Sequence, residues 1–282
     1  MRNIIQKLII LGITLLVILS TKAQETGVFK DGNDGYDVGK IPAEYALSPT
    51  GAITYQIPIN IHPSVDDFQP QLSFNYNSQQ GESALGYGWN MGGLSSISHV
   101  GGSIYYDGKT TPLSLSDDKL VLDGMRLIKK GMDTWQTEQG FVKVKKLLNG
   151  TLEACYPNGN IAIFETSSSA PFSYVMTSCK DLKGRSIRYE YGQANNLSYI
   201  QKIQYGENGN NYTDSIIFRY QNLTDGLVRY SDGKRVENSK LLDKIESYYR
   251  GTLWRRYQLT YEKKEVNQLV RLDCGTETRS LK

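Results

Sequence analysis

The sequence predicts an all-β protein built from serial antiparallel hairpins. Three observations carry this prediction: apolar and polar residues alternate with period two, two-residue turn signals recur, and the 282 residues include 20 Tyr and 27 Gly. Aromatic rings suit the half-buried face of a strand, and Gly supplies the positive φ of tight turns. Apart from the first residues, no long window has helical periodicity. We expect the hairpins to pair into a curved sheet, a sandwich or a partial β-shell.

Residues 1–23 are predicted to be a secretory signal peptide. Arg2 and Lys7 precede an apolar run from Leu8 to Ser20, and the cleavage site is expected after Ala23. The apolar run is too short for a hydrocarbon core of about 30 Å, so a retained N-terminal anchor is the weaker alternative. We therefore expect a secreted or cell-surface protein that has no membrane span after cleavage, with the periplasm as transit or end point.

Residues 24–50 read as a Gly/Asp-rich lead-in, and residues 51–282 as the β-rich domain. The acids between Asp31 and Asp37 do not match a calcium loop, because Gly35 and Tyr36 stand where a ligand and the required Gly should be. The lead-in is therefore interpreted as a solvated turn. Thr276–Lys282 lack a closing strand, so we interpret the chain as truncated or as the N-terminal part of a larger shell.

The charge balance disfavours nucleic-acid binding. The formal net charge is +3, and removing Arg2, Lys7 and Lys22 with the signal peptide leaves equal numbers of basic and acidic side chains. A balanced chain without a run of like charges has no basic patch for phosphate backbones.

Alternation begins at Ile53 and continues through Tyr55 to Ile61. Pro58 interrupts the hydrogen-bond ladder, so this strand is expected at an edge or with a bulge. Downstream, turn signals separate alternating runs and predict hairpins at Asp123-Gly124, Asn149-Gly150, Asn158-Gly159, Lys183-Gly184, Asn208-Gly209, Asp232-Gly233 and Arg250-Gly251.

Three cysteines, Cys155, Cys179 and Cys274, allow at most one internal disulfide. Cys155 and Cys179 lie on flanking strand candidates and are the possible pair; the alternative is three buried, unpaired thiols. Their spacing matches no metal site, and we expect no cofactor.

No catalytic constellation stands out, so we expect a protein that is not an enzyme. His62 and His99 are the only histidines, and no nucleophile motif accompanies either. Paired acids such as Asp66-Asp67 and Asp117-Asp118 keep a glycoside hydrolase as a remote alternative, which requires two carboxyl groups across one cleft.

Three sequence blocks, in this order, resemble the SpvB-type N-terminal domain of Tc toxin B components and Rhs/YD-repeat toxin-shell proteins. They are Ala52–Ile59 (AITYQIPI), Pro70–Ser78 (PQLSFNYNS) and Gly86–Ile97 (GYGWNMGGLSSI). Later segments, such as Gly184–Tyr191 and Lys240–Ile245, look like subsequent strands of the same family. The motif residues are Tyr55, Ile57, Pro58, Pro70, Leu72, Tyr76, Asn77, Ser78, Gly86, Gly88, Trp89, Gly93 and Leu94.

The resemblance implies an exported, non-catalytic scaffold that forms part of a β-sheet wall. Such a wall encloses or carries a toxin cargo, or docks a protein partner such as another Rhs or Tc component. The chain departs from the family at His99, where a basic residue is common, and at His62–Gln69, where a Gly-rich link is common. It also lacks a long YD array and the Glu-x-Glu pair of the family's transferase portion, so transferase activity is not carried over.

A cell-surface carbohydrate-binding or adhesin-like β protein is the alternative function. Tyr87 and Trp89 would then form a stacking platform for a glycan. A structural role is favoured for both rings, because the flanking glycines let the backbone bend closely around a large buried side chain.

Overall fold

A computed structural model describes residues 43–64, 67–167, 169–208, 211–223 and 225–275. The predicted signal peptide and residues 24–42 of the predicted lead-in lie outside these ranges. Nearly all regular structure in these ranges is β, as predicted, and the one helix that they contain, α1 (Ile104–Asp107), is a single turn. Within the described residues, no helix has the length and apolar character needed to cross a bilayer.

The N-terminal sheet consists of β1 (Glu44–Leu47), β2 (Ile53–Pro58), β3 (Ser73–Asn77) and β6 (Trp89–Gly92), paired in that order; a two-residue hairpin, β4 (Glu82–Ser83) and β5 (Gly86–Tyr87), precedes β6. β1 lies inside the predicted lead-in. Pro58 follows the last β2 residue paired with β1, Gln56. The next residue, Ile59, donates its amide hydrogen to Leu72 O. The Pro58 nitrogen therefore points to the opposite side of β2, beyond the end of β1. The expected edge strand or bulge is wrong, because β2 lies between β1 and β3 and pairs with β3 without a register shift; Pro58 is accommodated because β1 ends before it.

Eight strands close into an antiparallel barrel: β7 (Ser96–His99), β8 (Leu120–Leu122), β9 (Met125–Gly131), β10 (Thr134–Thr137), β11 (Lys143–Lys146), β12 (Leu152–Cys155), β13 (Ile161–Ser167) and β14 (Ala170–Lys180). β14 closes the ring because its start pairs with β7 while it also pairs with β13. Buried side chains such as Leu122, Trp135 and Phe164 fill the interior.

An open sheet continues from the far end of β14. It consists of β15 (Ser186–Ala194), β16 (Leu197–Asn208), β17 (Asn211–Asn222), β20 (Lys240–Tyr249), β21 (Thr252–Lys263) and β22 (Asn267–Gly275), paired in that order. A separate hairpin, β18 (Val228–Ser231) and β19 (Lys234–Glu237), lies between β17 and β20. In the described part of the chain β22 pairs with one strand, β21; β5 approaches the start of β22 at Asn267, and the rest of its other edge has no described partner.

Two kinds of tight turn join these strands. Asp123-Gly124, Asp232-Gly233 and Arg250-Gly251 have positive φ at both positions, as type I′ turns require. At Asn149-Gly150, Asn158-Gly159 and Lys183-Gly184 only the Gly has positive φ, which is typical of a type I turn followed by a bulge. These six predicted hairpins are confirmed, whereas Asn208-Gly209 extends beyond the described residues.

The predicted Cys155–Cys179 disulfide is wrong for this structure, in which all three cysteines are unpaired. β13 lies between the two cysteines, because Ala162 pairs with both Ala154 and Cys179. Two strand spacings separate them by about 9–10 Å, well beyond the Cα distance that a disulfide spans. Cys155 follows Ala154, so it also points to the opposite face. The alternative of three buried thiols is wrong too, since Cys155 and Cys274 are exposed.

Candidate functional site

The predicted motif residues come together in the N-terminal sheet. β2 pairs with β3 so that Tyr55 lies opposite Tyr76, and β3 pairs with β6 so that Tyr76 lies opposite Trp89. The Trp89 ring meets Tyr55 edge-on at 6.4 Å and Tyr76 at 5.3 Å. Trp89 is half-buried in this cluster, whereas Tyr87 is exposed on β5. The geometry therefore gives Trp89 a packing role and does not pair it with Tyr87.

The glycines of the motif allow close approach between segments. A Cβ on Gly88 would lie 2.4 Å from the Tyr76 ring, and one on Gly93 would lie 1.8 Å from Gln71 O. Both residues also have positive φ. Gly86 approaches β22, since its Cβ would lie 2.6 Å from Asn267 O. These positions admit no side chain without a shift of backbone or ring.

The remaining motif residues support the same sheet. Ile57, Pro70 and Leu72 are buried, and Leu94 packs against the core at half-burial. Ser78 Oγ accepts a hydrogen bond from Ile53 N. Asn77 Oδ1 accepts one from Gln79 N and so fixes the turn after β3. The sequence block is thus a structural unit in which almost every member packs or shapes a turn.

Residues Glu82–Gly86, which we name the bridging strip, join the N-terminal sheet to the end of the open sheet. Leu242 N donates to Ala84 O at 2.7 Å, and Asn238 Nδ2 donates to Ser83 O at 2.8 Å. The side chains of Asn267 and Glu82 are also hydrogen-bonded. The strip therefore fixes the orientation of one sheet on the other.

Buried tyrosines make a second set of links that sequence analysis missed. Tyr205 Oη donates to His62 O at 2.6 Å, and Tyr257 Oη accepts from Asn60 N at 2.8 Å. Burial raises the pKa of Tyr205 far above its usual range, and the nearby Asp214 raises it further. The high Tyr content was a signal for these links, because a buried phenol needs a polar partner.

The open sheet has one polar face, which we name the charged face: Arg188, Glu190, Lys202, Arg219, Lys244, Glu246 and Arg256. One row of this face crosses five strands, where successive partners are Glu190, Lys202, Ile217, Glu246 and Arg256. The alternate residues face the core, so the sheet separates an apolar side from a charged side.

Glu246 is the centre of the charged face. Its carboxylate accepts from Arg256 Nε at 2.8 Å, from Tyr248 Oη at 3.2 Å and from Arg219 Nε at 3.4 Å. Its side chain is only 6% exposed. Burial alone would raise its pKa, but Arg256, with help from Tyr248 and Arg219, outweighs burial and holds the pKa of Glu246 below its usual range.

The two histidines lie far from a shared centre. His99 Nδ1 contacts Asp117 O at 3.2 Å, and burial lowers the pKa of this imidazole. His62 stacks on Tyr249 at 4.0 Å, and its Nδ1 lies 2.7 Å from the buried carboxylate of Asp214, without the alignment of a hydrogen bond. Both imidazoles are packed between structural elements.

The acid pairs behind the hydrolase alternative are not brought to one cleft. Asp117 and Asp118 contact different lysines, Lys119 and Lys129. Asp67 is exposed in the loop between β2 and β3, and Asp66 lies outside the described residues. Across the described ranges, no group of three or more His, Cys, Asp or Glu side chains is placed to hold a metal ion.

Comparison with known families and structures agrees with these motifs. The family model of the Salmonella virulence plasmid 65kDa B protein, SpvB, matches residues 47–139, which include all the motif residues. The resemblance to the SpvB-type N-terminal domain is confirmed. No curated protein matches the chain.

Solved structures share the fold over most of the chain. The N-terminal domain of effector protein SpvB from Salmonella typhimurium strain LT2 has a TM-score of 0.64 at 14% identity, with 78% of this chain and 98% of that chain covered. The TcdB2-TccC3 structure has a TM-score of 0.67 at 13% identity, with coverage of 90% and 17%. The Photorhabdus luminescens Tc holotoxin pore gives 0.65 at 15% identity, with coverage of 90% and 16%. The chain thus spans under a fifth of these Tc structures.

Proposed function

We propose that the chain is an exported, non-catalytic scaffold of the toxin-shell type, forming part of a β-sheet wall. The observation that carries the proposal is the open sheet. Its apolar side packs against the N-terminal sheet, its other side is charged, and β22, its last strand in the described ranges, has an edge that no described strand pairs with. A sheet closed on one face and open at one edge is suited to continue into a larger wall. The fold shared with Tc structures supports this role.

The wall would carry or enclose a protein cargo, or dock another component of a Tc or Rhs assembly. Two of the similar structures are complexes of TcdB2 with TccC3, and a third includes Cdc42 as well. The charged face is the surface that such a wall would present to cargo or solvent, since the other face is used by the core.

Single-particle electron microscopy of the protein purified from its native cells tests this function. The expected result is a hollow or curved particle in which a further strand is hydrogen-bonded along β22. A particle in which β22 borders solvent, with no sheet continuing from it, contradicts the proposal.

Export through a cleaved signal peptide at residues 1–23 is part of the same proposal. Mass spectrometry of the protein recovered outside the cytoplasm should give an N-terminus at Gln24. An intact N-terminus on protein that stays in the cytoplasm contradicts export.

A glycan-binding surface is the second candidate, at a place other than Trp89. Tyr105 is 79% exposed and meets Tyr106 edge-on at 4.7 Å. Both hydroxyls donate to Glu138, at 3.2 and 2.9 Å. An exposed ring beside a carboxylate provides a stacking face and an acceptor for sugar hydroxyls.

A glycan array tests whether glycans bind at Tyr105 specifically or at any exposed tyrosine ring. Tyr105→Ala should abolish retention, whereas Tyr230→Ala, which removes another exposed ring, should not. Equal retention by both variants and the unchanged protein contradicts a site at Tyr105.

A further inference from the structure

A groove of about 480 Å³ lies where the N-terminal sheet, the barrel and the open sheet meet. It is bounded by β6, by β7 and β14 of the barrel, and by the start of β16. The hairpin β18–β19, which we name the flap, borders it with Arg229, Ser231 and Val236. The groove is separate from the charged face and from Tyr105.

The groove exists because β14 changes partners. Its first half pairs with β7 through Ser173–Val175, and its last residues pair with β15 through Ser178–Lys180. Beyond Arg188, β15 pairs only with β16 in the described structure, so the sheet divides at this point. Tyr191 and Val175 lie on the two sides of this division and both line the groove.

The flap is fixed above the groove at two places. Asn196 Nδ2 donates to Arg235 O at 2.8 Å, and Glu237 N donates to Asn195 O at 3.2 Å. At its turn, Asp232 accepts from Leu115 N at 3.2 Å. The flap is therefore held to β15–β16 and to the barrel loop, and Arg229 is placed at the rim of the groove.

The lining is apolar with several hydroxyls and with no carboxylate among its described residues. Its large apolar members include Leu85, Met91, Leu94, Phe172, Leu197 and Val236. Burial lowers the pKa of His99, so the imidazole is mainly neutral at pH 7. Arg229 is then the one charged group among the described residues that line the groove.

Arg229 and Tyr191 both have unused hydrogen-bonding capacity. Within the described residues Arg229 forms no ion pair, and its guanidinium opposes the rise in the pKa of Tyr199 that burial causes. The hydroxyl of Tyr191 is buried and has no hydrogen-bond partner in the part of the chain that the structure describes. A buried, unpaired hydroxyl is costly unless something pairs with it.

We propose that this groove binds a small amphipathic carboxylate, with its anionic group on Arg229 and its apolar body along the groove. Tyr191 donates to an oxygen carried on that body. Charge complementarity favours this class of ligand. The groove has a cation, Arg229, at its rim, an apolar floor and the buried hydroxyl of Tyr191. Together these features match a monoanion with an apolar tail. The proposal is independent of the shell function.

Calorimetry on the 282-residue chain tests the proposal with three probes that share an eight-carbon chain: octanoate, 1-octanol and octylammonium. Octanoate should bind saturably, octanol about tenfold more weakly, and octylammonium more weakly still. Absence of saturable octanoate binding, or equal binding of the three probes, overturns the proposal.

Two variants of the flap test whether octanoate binds in this groove. Arg229→Gln should weaken octanoate about tenfold and leave octanol unchanged. Arg235→Gln removes the same charge from the same hairpin, but residue 235 pairs with Tyr230 on the other face, so it should change neither probe. Equal effects of the two variants contradict the assignment. Thermal melts check that both variants remain folded.

The Tyr191 contact has its own readout. Among octanoates that carry one hydroxyl, at least one isomer should bind more tightly than octanoate, and Tyr191→Phe should bind that isomer and octanoate equally. A gain that persists in Tyr191→Phe overturns the role of this hydroxyl.

Discussion

At the scale of the residue, the SpvB-type block depends on glycines for two separable reasons. Positive φ is strained for any residue with a Cβ, and close approach excludes the Cβ itself. Gly93 combines both conditions, whereas Gly51 has positive φ with open space around its missing Cβ. The two positions form a matched pair.

Gly93→Ala should lower the free energy of unfolding by about 3 kcal/mol or more, because the new methyl group would overlap Gln71 O. Gly51→Ala should cost about 1 kcal/mol, from φ alone. Urea denaturation of both variants measures the difference. Equal losses would show that the close approach of Gly93 does not matter.

The carboxylate of Glu246 gives a prediction for pH. Its folded pKa lies below the ordinary value of about 4.5. The stabilisation it provides is therefore fully present above that value and is lost as pH falls through the folded pKa. Glu246→Gln should lower the unfolding free energy by about 2 kcal/mol at pH 7, and this deficit should shrink below pH 4.5.

Asp273→Asn is the control for that measurement. Asp273 pairs with Arg271 at 2.8 Å, but both side chains are well exposed, so the loss should be close to zero at every pH. A Glu246→Gln deficit that stays constant down to pH 3 contradicts the description of Glu246 as an ionised, paired group.

At the scale of the element, tyrosine hydroxyls hold the segment after β2 on the open sheet. Tyr205→Phe should lower the unfolding free energy by about 1 kcal/mol, since His62 O loses its partner. The double variant with Tyr257→Phe should lose about 2 kcal/mol.

Tyr230→Phe, at a 72% exposed position on the flap, is the matched control and should be neutral. Chemical denaturation compares the three variants. If Tyr205→Phe were as stable as Tyr230→Phe, the hydroxyl contact would not help to hold the segment in place.

Local signals predicted most of the elements. Period-two alternation identified β2, and the Gly-containing turns identified six hairpins, whereas β22 was not predicted. The type I′ turn at Asn195-Asn196 was missed because it has no Gly, although Asn tolerates positive φ. The cysteine prediction failed because proximity in sequence does not reveal that β13 intervenes.

At the scale of the whole molecule, barrel closure is the feature that sequence patterns did not show. Closure depends on one strand, β14, which pairs with β13, β7 and β15 at different positions along its length. Such partner choice is set by tertiary packing over long separations, and alternation alone carries no information about it. The groove at the division of the sheet was missed for the same reason.

The barrel is closed, whereas the open sheet ends at β22 in the described residues. The pairing state of β22 therefore tests whether the sheet continues into a wall. Its neighbour β21 satisfies one edge, and every second amide of β22 faces away from it. An edge of this length is normally protected or paired. If the chain forms part of a wall, that edge is where the next strand should pair.

Amide hydrogen exchange on β22 tests this claim most directly, with the internal strand β20 as reference. We predict that the outward amides of β22 after Asn267 exchange rapidly in the chain alone and become as slow as those of β20 in the protein purified from its native cells. Rapid exchange of these amides in both samples would contradict the account of the chain as part of a continuous β-wall.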